Sequence, residues 1–273
     1  MACFSSDILG LHSAQNKVSM DSENKRKRMG NMAITDIEKL QQMINSSKKI
    51  VFFGGAGVST ESGIPDFRGV DGLYRQHYAY PPETILSHEF FETHCEEFFR
   101  FYRDRMLCLD AQPNAAHKKL AELEKAGKLT AVVTQNIDGL HQKAGSKNVF
   151  ELHGSVLRNN CTKCGKKYSA EFIRDSSGIP KCSCGGIIKP DVVLYGEALD
   201  QRTVNRAIRA IANADMLIIG GTSLAVYPAA GLIDFYSGSK LVLINKTSTP
   251  LDGKADLVIT ESIGKTLEKI KVS

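Results

Sequence analysis

Ile50-Val51-Phe52-Phe53-Gly54-Gly55-Ala56-Gly57 is the stretch whose reading decides the fold. Four consecutive apolar residues without alternation suit a strand buried on both faces of a parallel sheet. The glycines that end it predict strand, turn, then helix. The longer string GGAGVSTESGIPDFRG fills residues 54–69. Glycines let a backbone approach a phosphate closely, and a following helix would aim its free N–H groups at the anion. As a bare Gly-x-Gly the signal is weak, because such turns close strands in many folds that hold no ligand. Thr60 stands where a dinucleotide fingerprint has its third glycine, and no acid closes the next strand about twenty residues on. The motif therefore favours a phosphate-binding turn and does not favour hydride transfer.

Upstream, residues 31–49 place Ile37, Leu40, Met43 and Ile44 at helical spacing, with a helix start at Thr35, Asp36 and Glu38. Downstream, short apolar runs at 129–134, 149–152, 192–194, 216–219, 241–244 and 257–259 read as further buried strands. Helical stretches at 115–126, 202–213, 228–236 and 263–270 separate several of them. That alternation implies an α/β fold, a Rossmann-like doubly wound parallel sheet. Two regions break it: residues 71–112, aromatic-rich and helical, and residues 155–188, which carry clustered cysteines. Both read as inserts into one core made of 31–70, 113–154 and 189–273, with 1–30 as a disordered tail.

The composition, 42% apolar and 24% charged over 273 residues, is that of an ordinary globular chain. No apolar run approaches the ~18 residues of a membrane-spanning helix, and no secretory signal is evident near the start. A cytoplasmic location is expected. Of the net charge of +5, residues 1–30 hold +2, from Lys17, Lys25, Arg26, Lys27 and Arg28 against Asp7, Asp21 and Glu23. Such a basic run can bind nucleic acid, but is more often a solvated tail. Met20, Met29 and Met32 are alternative starts.

Three further segments carry chemistry. Thr134-Gln135-Asn136-Ile137-Asp138 follows a strand directly, where open α/β sheets present side chains to ligands, although Asn and Asp also make plain turns there. Glu151-Leu152-His153-Gly154 ends another strand, so the His153 ring emerges at the same crevice. An ordinary histidine pKa near ~6.5 suits general-base work. The seven cysteines are an odd number in a chain without export signals, which argues against a disulfide scaffold. Cys161 and Cys164, then seventeen residues, then Cys182 and Cys184, form a strong tetrahedral zinc signal. Four thiolates leave no open position, so such a metal is structural. The second pair has one intervening residue where two are usual.

Taken in order, GAGVSTESGIPDFRG, TQNIDGLH, ELHGS, the cysteine quartet, PDVVLYGE, GTSLAVYPAA and Leu243-Ile244-Asn245 closely resemble the sirtuins, NAD-dependent protein deacylases, in their bacterial and archaeal branch. The resemblance covers roughly residues 31–273. It implies that NAD is consumed as a co-substrate beside one structural zinc. Ala56, Thr60, Gln135, Thr222, Ser223, Asn245 and Ile263 would line the NAD site. Arg68 would lie near the phosphates, Phe67 over the ribose, and Ile137 and Asp138 on the nicotinamide. His153 would act as general base, and Asn136 would orient the ribose or water. An acetyl-lysine peptide would add as a strand between Val193 to Glu197 and Ala225-Val226-Tyr227.

The resemblance leaves mono-ADP-ribosyl transfer and removal of acidic acyl groups open on the same scaffold. Outside it stands a non-enzymatic zinc-ribbon module contacting nucleic acid. No aromatic-basic surface supports that last reading, and Lys163, Lys166 and Lys167 read as a solvated face. Family members that remove succinyl groups resemble one another in a Tyr-x-x-Arg pair. In EFFRFYRDRM, residues 97–106, the ungapped register puts Phe99 and Tyr102 at those positions, and a shift of three would put Tyr102 and Arg105 there. The first register is preferred, which implies a deacetylase tolerant of somewhat longer neutral chains.

Overall fold

The structure is a computed structural model that describes residues 34–67, 72 and 78–272. The basic tail, the alternative starts and Arg68 lie outside the described residues.

Thr35 opens the first helix, α1 (Asp36–Asn45), through a capping box with Glu38. Its side chain and the Glu38 carboxylate satisfy N–H groups that the first turn leaves unpaired. The chain then enters β1 (Ile50–Gly54), all five residues of which are buried. Beyond it come α2 (Pro82–Ile85), α3 (His88–Thr93) and α4 (Cys95–Phe101), the last running into a π-helical turn at Tyr102–Met106. Next are α5 (Ala115–Lys125), β2 (Leu129–Thr134), α6 (Leu140–Ala144) and β3 (Val149–Glu151). A separate antiparallel sheet follows, in which β4 (Gly154–Cys161) lies between β5 (Lys167–Tyr168) and β6 (Ile188–Val192), with α7 (Ala170–Asp175) in its loop. The chain finishes with α8 (Gln201–Ala212), β7 (Met216–Gly220), a 3-10 segment at Ala229–Phe235, β8 (Leu241–Ile244), β9 (Leu257–Ile259) and α9 (Ile263–Glu268).

The main sheet is parallel, in the order β3-β2-β1-β7-β8-β9. Alternate residues of β1 serve opposite faces. Ile50 and Phe52 join Leu40, Leu120, Val132 and Ile218 in one apolar cluster, while Val51 and Phe53 join Val133, Ile211, Leu217 and Leu243 in another. Burying each phenylalanine contributes roughly 2–3 kcal/mol, so both faces hold the strand in register. The chain leaves β1 toward β2 on one side and returns to β7 on the other. A crevice opens where these neighbours diverge, at the carboxyl ends of β1 and β7.

Three expectations are corrected. Among the described residues no α-helix follows the glycine turn directly: the chain makes short 3-10 turns at Ala56–Val58 and Thr60–Ser62, so no α-helix starts at the turn and aims its dipole there. The strand expected at 192–194 lies earlier, as β6, and belongs to the small antiparallel sheet. The segment expected as a helix at 228–236 is a 3-10 segment. The two inserts also share one apolar cluster, in which Phe91, Phe98, Phe99 and Tyr102 pack with Val156, Ile173 and Ile188.

Candidate active site

A cleft of about 870 Å³ opens at the sheet's switch point. Its first wall is the glycine turn, which crosses the loop after β7 backbone to backbone. Gly57 N–H donates to Gly221 O (2.8 Å), and a Cβ on Gly57 would stand 2.8 Å from Gly221 Cα. Gly221 itself has φ +61°. Asn114 pins the turn from behind. Its Nδ2 donates to Val58 O (2.7 Å) and Ser62 Oγ (3.0 Å), while its Oδ1 accepts from Ala116 N–H to cap α5. Glu61 ties the turn to α9, accepting from Gly264 N–H at 2.7 Å.

The second wall is the segment after β2. Asn136 Nδ2 donates to Ser59 Oγ (3.0 Å), and Ser59 donates in turn to Asp138 Oδ2 (2.6 Å). Asp138 Oδ1 accepts from Leu140 N–H at 2.9 Å. Gln135 Nε2 reaches across to Thr222 Oγ1 (3.1 Å), and Asn245 clasps Thr222 by both backbone groups, at 2.7 and 3.1 Å. These side chains hold one another in place before any ligand arrives. Ser59, Glu61 and Asn114 were not singled out from sequence. Local spacing marks Asn114 only as a helix N-cap, and marks none of the three for its role at the turn, where each acts through a partner far along the chain.

His153 stands where the two walls meet the small sheet. Its Nδ1 lies 3.0 Å from Gln135 O. A carbonyl can only accept, so Nδ1 carries the hydrogen and Nε2 keeps its lone pair. Burial lowers the ring's pKa below the ordinary histidine value, and the Gln135 contact only partly offsets this. The imidazole is therefore neutral at physiological pH, as a proton acceptor must be.

The cleft brings together Ala56, Thr60, Phe67, Gln135, Asn136, Ile137, Asp138, His153, Thr222, Ser223, Asn245 and Ile263. Val193, Glu197, Val226 and Tyr227 line it as well, whereas Ala225 does not.

Away from the cleft, Cys161, Cys164, Cys182 and Cys184 set their four sulfurs within 4.8 Å of one another. The closest pairs are 3.4 Å and 3.6 Å apart. Zinc with Zn–S bonds of ~2.3 Å would place its sulfurs ~3.8 Å apart, so the quartet fits this ion. The Cys184 N–H, then the Tyr168 hydroxyl, pull the Cys182 thiol down to about 5. Cys184 is pushed up to about 12: the Gly186 N–H favours its thiolate, but the hydrogen bonds shared with Cys161 and Cys164 outweigh that. Sulfurs this close cannot all ionise unless a cation compensates them.

A family model described as Sir2 family matches residues 55–228. The NAD-dependent protein deacetylase of Clostridium acetobutylicum is 58% identical over 243 residues, covering 88% of this chain and 99% of that protein. Its counterpart from Clostridium perfringens is 61% identical over 238 residues, covering 86% and 98%. Among solved structures, a Sir2 variant with a deacetylated p53 peptide and 3′-O-acetyl ADP ribose superposes with TM-score 0.81 at 41% identity, covering 86% of this chain and 97% of that one. A Sir2–p53 peptide–NAD+ complex gives TM-score 0.77 at 42% identity, covering 85% and 96%.

Proposed function

The chain belongs to the Sir2 family, and from that premise we propose that it deacetylates protein lysines, consuming NAD and passing the acyl group to ADP-ribose. One observation carries the reading: a neutral histidine, fixed through Nδ1, stands between the glycine turn and the strand edge that a peptide would join. When bound, NAD would supply an electrophilic ribose carbon and a neutral leaving group. Ala56, Thr60, Gln135, Thr222, Ser223, Asn245 and Ile263 would hold its phosphates, riboses and adenine. Ile137 and Asp138 would hold the nicotinamide, and Phe67 would close over the ribose. Arg68, beyond the described residues, belongs to the same proposal. His153 Nε2 would take the proton from a ribose hydroxyl, and Asn136, steadied by Ser59, would orient that ribose or the water that completes the reaction.

The catalytic unit is residues 31–273, with 1–30 as a tail. The cysteine quartet would hold one structural zinc. Among the described residues no helix is long and apolar enough to cross a membrane, and the reduced thiols the quartet needs support a cytoplasmic location.

The test is incubation with an acetyl-lysine peptide and NAD, followed by mass spectrometry. O-acetyl-ADP-ribose, nicotinamide and the deacetylated peptide are expected in equal amounts, and ADP-ribose attached to the protein or peptide instead would favour the transferase alternative. For the acyl group, Phe99 and Tyr102 are fully buried and neither lines the cleft, and the Tyr102 hydroxyl has no partner among the described residues. Arg105 does line the cleft, but its guanidinium pairs with Asp104 (2.7 Å) and lies over the Tyr78 ring. A cleft whose Arg105 is already paired with Asp104 favours acetyl over an acidic acyl group. A kcat/KM preference for the succinyl version of one peptide would assign Arg105 to the acyl carboxylate.

A further inference from the structure

The turn that ends the expected peptide edge is folded around one carboxylate. Glu197 N–H donates to Leu194 O (2.9 Å), while Leu194 N–H donates back to Glu197 Oε2 (2.9 Å), and Gly196 between them has φ +90°. Lys189 Nζ donates to the same carboxylate at 3.1 Å and also to Val192 O. The other oxygen, Oε1, lies 3.1 Å from Lys189 Nζ as well and takes a bond from the helical insert, since His88 Nδ1 lies 2.9 Å from it. A carboxylate can only accept, so His88 Nδ1 is the donor. Burial alone would raise the Glu197 carboxyl, but the Leu194 N–H, the His88 ring and Lys189 hold it below the usual range. Three donors converge on this carboxylate, and Glu197 acts as the keystone of the turn.

His88 begins α3 in the helical insert, and its backbone is engaged as well. Its N–H donates to Tyr195 O (2.9 Å), and Tyr195 N–H donates to Leu86 O (2.9 Å), forming a short parallel bridge. The ring's other nitrogen faces the exposed Glu92 at 3.3 Å. The helical insert therefore grips the turn at both backbone groups of Tyr195 and at the Glu197 carboxylate, and His88 supplies two of those three contacts.

We propose that His88 is a positioning residue for the acyl-peptide substrate, fixing residues 194–197 through Glu197 so that the edge leading from Val192 is preformed for strand addition. This rests on the deacetylase reading, since it assigns a role within that site's peptide groove. An unfixed turn must be ordered when the peptide binds, and that cost falls on peptide affinity. It does not fall on NAD, whose expected contacts lie across the cleft.

The experiment first measures the wild-type enzyme with an acetyl-lysine peptide and NAD. Absence of turnover there would count against the deacetylase reading itself. His88→Ala should then raise the peptide KM by about tenfold, the usual worth of a hydrogen bond to a charged group. The NAD KM and kcat at saturating peptide should stay within about twofold of wild type. His88→Asn, which keeps a donor near the Nδ1 position, should recover most of the loss. Hydrogen exchange at residues 194–197, measured without substrate, should quicken in H88A and return toward wild type in H88N. An unchanged peptide KM, a fall confined to kcat, or H88N behaving as H88A in both measurements would overturn the assignment. Exchange still tells a released turn from a misfolded variant, because misfolding would also quicken β1 and β7.

Discussion

His153 works only while its Nε2 is bare. Because burial lowers the ring's pKa, the neutral form persists below the ~6.5 at which a free histidine is half protonated. The sign follows directly. The rate should be flat from neutral pH down through ~6.5, then fall as acid protonates the ring at its lowered pKa. A kcat/KM profile that already fell between pH 8 and 7 would contradict this. His153→Ala should lower turnover by ~10²–10⁴-fold with the melting temperature nearly unchanged, and near-normal turnover would remove it from the mechanism. This residue is legible from its neighbours, since a histidine between an apolar run and Gly154 has few places to point. Those neighbours could not show the tautomer, because that depends on Gln135 O, eighteen positions away.

Helices α5 and α6 meet through a second histidine pair that takes no part in the cleft. His117 and His141 lie edge to face at 4.7 Å, and three of their four ring nitrogens are buried without a partner. Burial lowers His141 to about 3, assisted by His117, and lowers His117 to about 4 against the pull of Asp138. In the unfolded chain both titrate near ~6.5, so the unfolded state takes up protons first. Stability from this pair is full above that value and is lost progressively between about pH 6.5 and pH 3. Denaturant unfolding at pH 7.5, 5.5 and 4.5 should show the decline, and His141→Phe should flatten it. An equally steep decline in the variant would place the acid sensitivity elsewhere. The strands show equally well what a sequence can and cannot reveal. The runs at 129–134, 241–244 and 257–259 match β2, β8 and β9 at both ends because each strand is buried on two faces. β4 escaped notice, and β6 was expected too late in the chain, for the opposite reason. Gly-Ser-Val-Leu-Arg-Asn-Asn-Cys packs only part of itself, and Pro190 sits inside β6, where a proline usually argues against a strand.

At the scale of the whole molecule, the two inserts read as separate from sequence because nothing local joins residues 71–112 to the cysteines. The structure joins them through one apolar cluster that also contains Cys161 and Cys182. Removing the metal should therefore loosen more than the ribbon. Cys182→Ala or chelation should lower stability before it touches chemistry, and should quicken hydrogen exchange in α4 while sparing β1 and β7. Exchange changes confined to residues 161–184 would show that the shared cluster does not transmit the loss. Absence of bound zinc on elemental analysis would dismiss the metal altogether.

The sheet's strand order also has a consequence during synthesis. β1 sits between β2 and β7, yet β7 leaves the ribosome only after 160 or so further residues have been made, roughly 10–30 s at ordinary elongation rates. Throughout that interval one edge of Ile50-Val51-Phe52-Phe53 has no strand to pair with, although every residue of it ends up buried. An unpaired apolar edge is the kind that seeks strands on other chains. The nascent protein thus carries an aggregation hazard in a strand that later lies inside the finished sheet.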